Sequence, residues 1–131
     1  MPLSCSAVAM ARHDRQAARG RGQLAEWTAR WWLRLHGWRV LAYNLRTPVG
    51  EVDLIIKRGR TLAFVEVKRR ATETDAAHAI RPHQQARIQR AASWYLAQQP
   101  QFGHCHVRYD AVLVTPGRLP QHVADAWREG G

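Results

Sequence analysis

Three acids stand out in a long stretch that is otherwise free of them. Between Trp27 and Thr72 the chain carries only Glu51, Asp53 and Glu66. They lie in two aliphatic, β-branched runs, Gly50-Glu51-Val52-Asp53-Leu54-Ile55-Ile56 and Phe64-Val65-Glu66-Val67-Lys68, where acids are normally depleted. Strand side chains alternate, so Glu51 and Asp53 should share a face, as should Glu66 and Lys68. The Gly-X pair in Lys57-Arg58-Gly59-Arg60 predicts a type II′ hairpin. With Gly59 and Arg60 central in the turn, Asp53 falls opposite Glu66 and Glu51 opposite Lys68. Opposed Cβ atoms are roughly 4.5–5.5 Å apart. Two carboxylates that close repel, and burying them is costly unless a cation sits with them. Hard oxygen ligands at this spacing suit Mg²⁺ or Mn²⁺. A bulge of one residue would break the register.

Either motif alone ordinarily marks a solvated strand face with cross-strand ion pairs. Both together, in register across a tight turn, read differently. The flanking Leu54-Ile55-Ile56 and Phe64-Val65 suit a buried central hairpin, and such a hairpin should not carry uncompensated charge.

Other elements must hold that hairpin. A helix is expected from about residue 23 to 36, with Leu24, Thr28, Trp31 and Leu35 on one stripe and Ala25 and Trp32 beside them. Gly37 is a natural C-terminal stop. Residues 38–43 read as a strand, and 44–48 carry turn chemistry. Pro82 can begin a helix, continued by helical spacing over 86–97. Residues 106–114 alternate, with Val107, Tyr109, Ala111 and Leu113 on one side. A short helix from about His122 to Trp127 is expected to close the chain. The order α-β-β-β-α-β-α predicts an α/β fold, a mixed sheet of about four to five strands with helices against it. Trp31 and Trp32 point about 100° apart on a helix and cannot both face a core. Asp110 reads as a structural partner for an arginine.

The chain has 131 residues, suited to one domain, here residues 21–131 behind a basic tail over 1–20. Twenty basic residues, eighteen of them Arg, against ten acids give +10. That balance favours a polyanionic partner, nucleic acid being the commonest. Arg12, Arg15, Arg19 and Arg21 could lie along phosphates. No apolar run approaches the roughly 18 residues of a membrane span. The first residues lack the basic start of a secretory signal. Two cysteines, Cys5 and Cys105, build no disulfide framework, so a cytoplasmic location is expected. His104-Cys105-His106 has no second pair at zinc-ligand spacing.

The hairpin motif resembles the YraN-type family, placed in the PD-(D/E)XK nuclease superfamily near archaeal Holliday-junction resolvases. The similarity extends to Gly22-Gln23-Leu24-Ala25-Glu26-Trp27-Thr28-Ala29, to Asn44-Leu45-Arg46 and to Arg108-Tyr109-Asp110-Ala111-Val112. It implies a restriction-endonuclease-like core and a metal-dependent endonuclease. On that resemblance Asp53 and Glu66 would hold Mg²⁺ or Mn²⁺, with the Val67 carbonyl as a third ligand. Lys68 would orient the attacking water or stabilise charge on the phosphate. Glu26 would add a carboxylate, directly or through water, and Glu51 could bind a second metal or hold Lys68. Arg46, Arg58, Arg60, Arg69, Arg70 and His83 would contact nucleic acid. His83 stands where the family usually carries a Lys near the start of its second long helix. The expected substrate is branched or otherwise structured DNA. Symmetric incision of a junction would need two chains, compatible with a homodimer. A non-catalytic nucleic-acid-binding module on the same scaffold and a protein-interaction adaptor are the alternatives.

Overall fold

A computed structural model describes residues 24–69 and 80–128. The expectations for the tail and for Arg70 therefore lie outside the described residues. The chain runs α1 (24–35), β1 (Arg39–Arg46), β2 (Glu51–Arg58), β3 (Thr61–Arg69), α2 (Pro82–Gln98), a 3-10 turn (Pro100–Phe102), β4 (His106–Val114) and β5 (Gln121–Trp127). The five strands lie in the order β1-β2-β3-β4-β5. Only β3 and β4 are parallel, and α2 connects them. The result is a mixed sheet with a helix on each face, consistent with a nuclease-like α/β core.

Strand alternation builds the two faces. Leu62, Phe64, Tyr109, Ala111 and Leu113 pack with Ile88, Ala91 and Ala92 of α2. Leu54, Ile56, Ala63, Val65 and Val112 pack with Ala29 and Leu33 of α1. The hairpin is thus buried on both sides, as its apolar runs predict. Gly59 takes φ +60, and Arg60 keeps a negative φ, as a type II′ turn requires.

Helix α1 ends where Gly37 predicts. Gly37 N–H donates to Arg34 O at 3.1 Å and Trp38 N–H to Leu33 O at 3.0 Å, with Gly37 at φ +88. That is a Schellman end, and its usual apolar contact is present between Leu33 and Trp38. The face that docks is not the expected stripe, however. Ala25, Ala29 and Leu33 are buried, whereas Leu24, Trp31 and Leu35 are exposed. Alanines let a helix backbone approach a sheet closely, and indoles at that distance would not fit.

The last element is a second correction. Residues 121–127 form a strand on β4, not a helix. Alanines give the segment helical propensity, but tertiary contacts override it. Trp127 stacks on Tyr109 at 5.5 Å between ring centroids, and Val123 sits opposite Ala111. Asp125 adopts φ +53, which no helix interior accommodates.

The turn at residues 47–50 brings β2 hard against α2. A Cβ built on Gly50 would lie 2.0 Å from Arg87 O. Only glycine fits there. We expect Gly50→Ala to cost about 2–3 kcal/mol, read as a lowered urea midpoint, because α2 must move off the strand that carries the acids.

Candidate active site

The ladder between β2 and β3 has the predicted register, from Arg58↔Thr61 to Leu54↔Val65, and stops there. The next positions are Asp53 and Glu66. Instead of extending the ladder, the Val67 N–H donates to Asp53 Oδ2 at 2.8 Å. On the other side, β1 and β2 skip the Asn44 and Asp53 positions in their pairing, and Asn44 has φ +51. Val52 and Ile55 both pack in the core beneath α2, although strict alternation would separate them. Strand β2 therefore changes phase around Asp53. The acid sits at an irregularity in the sheet, where a side chain can leave the pleat.

Asp53, Glu66 and Lys68 come together. The Asp53 and Glu66 side chains hydrogen-bond one another. Lys68 Nζ lies 3.4 Å from Glu66 Oε1. Burial and the Asp53 charge push the Glu66 carboxyl up to about 8, against the opposing pull of Lys68. Burial also raises Asp53, while the Val67 amide and the bond to Glu66 act the other way. Both carboxyls are thus held above their ordinary values, Glu66 the more strongly, so the site favours a protonated Glu66 beside Asp53.

Glu26 reaches the same neighbourhood from α1. Burial raises its carboxyl, and the Asp53 charge raises it further; a hydrogen bond from the Asn44 side chain and the charge of Arg30 oppose both. Asn44 is a site residue that the strand reading missed. The available signal was the Asn44-Leu45-Arg46 stretch that shares in the resemblance.

Other expected residues are elsewhere. Glu51 does not face Lys68; Arg87 Nη2 donates to its Oε1 at 2.6 Å, tying β2 to α2. Arg46 is its exposed neighbour across the β1 pairing. Arg58 and Arg60 lie at the hairpin's opposite end, and Arg58 is five residues from Asp53, about 16 Å along the strand. Arg58 donates from Nη1 to His36 O at 2.9 Å and covers the Trp38 ring at 4.4 Å. Arg69 follows Lys68 directly and lines a cleft of about 260 Å³ with Leu24, Thr28 and Arg118. His83 is exposed in the first turn of α2. Asp110 is the arginine partner expected, with Arg108 Nε and Nη2 each donating at 2.8 Å.

Among the described residues no three His, Cys, Asp or Glu side chains are grouped tightly enough to hold an ion between them. The donor set fits Mg²⁺ or Mn²⁺ in a narrower sense. Such ions are commonly held by one or two carboxylates, with water and substrate phosphate completing the shell. Asp53 and Glu66 are two hard-oxygen donors side by side, which is the kind of pair such an ion uses.

The family model described as "Uncharacterised protein family UPF0102" matches residues 25–114. A UPF0102 protein of Paramagnetospirillum magneticum is 50% identical over 117 residues, covering 86% of this chain and 91% of that protein. One of Maricaulis maris is 49% identical over 116 residues, covering 88% and 91%. One of Parvibaculum lavamentivorans is 50% identical over 107 residues, covering 82% and 80%. The matched span contains Glu26, Asn44, Asp53, Glu66 and Lys68, carried on α1, β1, β2 and β3, and the chain belongs to the UPF0102 family.

Proposed function

We propose that this protein is a metal-dependent endonuclease hydrolysing phosphodiester bonds of DNA, acting on branched or otherwise structured DNA. The observation that carries the reading is the Asp53–Glu66 contact, two half-buried carboxyl groups brought together where the ladder ends, with Lys68 beside them. A fold seeking only stability gains nothing from that arrangement.

Asp53 and Glu66 would hold the cation, with the Val67 carbonyl adjoining. When bound, the ion would neutralise charge on a non-bridging phosphate oxygen and lower the pKa of water. The chain's own residues have separate tasks. The Val67 amide fixes the Asp53 carboxylate. Lys68 balances Glu66 and presents an ammonium where negative charge would build on the phosphate. Glu26, held by Asn44, can accept a proton from a water beside Asp53. Arg69, next in line, can hold a flanking phosphate.

Purified protein with Mg²⁺ or Mn²⁺ is expected to cleave branched DNA, and Asp53→Asn or Lys68→Ala should each reduce the rate about 10²–10³-fold. Failure on every branched and linear substrate removes the enzyme reading. His83 in place of a Lys favours one second reading, a nucleic-acid-binding module without turnover. Its signature is salt-sensitive DNA binding that survives Glu66→Gln with no cleavage.

Proton displacement supplies a further check. Cation binding at the acid pair should release about one proton below pH 8, and affinity should rise with pH up to that point. Calorimetry of Mn²⁺ binding in buffers of differing ionisation enthalpy measures both.

A further inference from the structure

The apolar stripe of α1 faces outward, and its location beside the acids gives that exposure a use. Leu24, Trp27, Trp31 and Leu35 are between 51% and 68% exposed, and so is Tyr43 at 57% on the adjoining β1. Trp27 and Trp31 lie 6.1 Å apart between ring centroids. The Arg30 guanidinium covers the Tyr43 ring at 4.3 Å. Scattered exposed apolar residues need no account, but a contiguous row with two indoles does.

The surrounding charge selects the partner. Over residues 24–46 the sole acid is Glu26, against Arg30, Arg34, Arg39 and Arg46. That acid belongs to the site already described. A second copy packed on this stripe through its own α1 would set Arg30 and Arg34 against their counterparts. A polyanion meets no such repulsion. Aromatic faces interleaved with arginines are how single strands of nucleic acid are held, bases on the rings and phosphates on the guanidiniums.

The row also leads into the site. Glu26 lies between Leu24 and Trp27 on the same helix, and Asn44, which bonds Glu26, follows Tyr43. We infer that Trp27, Trp31 and Tyr43 form a stacking platform for an unpaired nucleic-acid strand that leaves the Asp53–Glu66 site across Glu26. This rests on the nuclease reading for its purpose and specifies the substrate as one with unpaired bases beside the scissile phosphate.

The test is equilibrium binding in EDTA, by anisotropy of a labelled oligothymidylate and of a blunt duplex of equal length. The single strand should bind more tightly than the duplex. Trp27→Ala and Trp31→Ala should each weaken it roughly tenfold, with circular dichroism unchanged. Trp31→Phe, which keeps a ring, should recover most of the affinity. Equal binding of both DNAs, indifferent to the alanine variants, overturns the platform. So does a dimer in sedimentation that Trp27→Ala or Trp31→Ala dissociates, since a second copy would then own the face. Neither result touches Asp53-dependent cleavage, and stacking found without any cleavage would leave the platform standing while the nuclease reading fell.

Discussion

Glu66→Gln is expected to give a protein that is more stable than the wild type above neutral pH and about 10²–10³-fold slower in metal-dependent cleavage. The stability half follows from the folded-state pKa. Glu66 titrates near 4.5 in an unfolded chain and is pushed up to about 8 by burial beside Asp53. Its protonated form therefore favours folding. That contribution is fully present below pH 4.5 and is lost as pH rises through about 8, where the folded state must take on a second buried negative charge. The loss is on the order of 5 kcal/mol. Gln keeps the shape and can still donate to Asp53, but it never ionises, so the variant should show a flat melting temperature where the wild type declines. The catalytic half follows from the missing ligand charge. Melting curves from pH 5 to about 9, beside cleavage rates, check both halves together. A variant less stable than the wild type at pH 9 would show that Glu66 and Asp53 do not compete for charge in the folded protein.

The opposite signs of those two effects explain what the sequence could reveal. Register was readable because Gly59 pins the hairpin turn, and counting back from it carries the ladder to Leu54↔Val65, next to Asp53 and Glu66. The same counting fails one step further. Glu51 cannot be placed by pairing because the ladder ends at Leu54, and the cause is an interaction between a side chain and a backbone amide, Asp53 with Val67. Periodicity likewise found α1 and its end, yet chose the wrong face. The large apolar residues mark the face left exposed, and the alanines mark the face that docks on the sheet. The last strand was hidden because its partners, Tyr109 and Ala111, are distant in sequence and its helical propensity is local. Glu26 was reachable only through resemblance, since a single acid on a helix has no spacing to read.

Asp110→Asn should be the most damaging substitution away from the acid pair, costing about 3–5 kcal/mol. Asp110 is wholly buried on β4. Arg108 donates to both its oxygens, His122 Nε2 lies 2.7 Å from Oδ2, and the Asp125 N–H donates to Oδ1 at 2.9 Å. Three strand positions thus converge on one carboxylate, and they are the contacts that hold the irregular β4–β5 pairing in register. Burial alone would raise its pKa, but the bonds from His122, Arg108 and Asp125 outweigh it and hold the carboxyl below its ordinary value. The stability it contributes is therefore present above the unfolded pKa of 3.8 and lost as pH falls through its lower folded value. An Asn turns one acceptor into a donor facing Arg108 or His122, leaving a guanidinium or an imidazole buried without its partner. Urea unfolding at pH 7 measures the loss. Acid unfolding supplies the control, because the gap between wild type and variant should close as pH drops below that folded value. A gap that persists unchanged there would mean that the charge of Asp110 is not what holds β5.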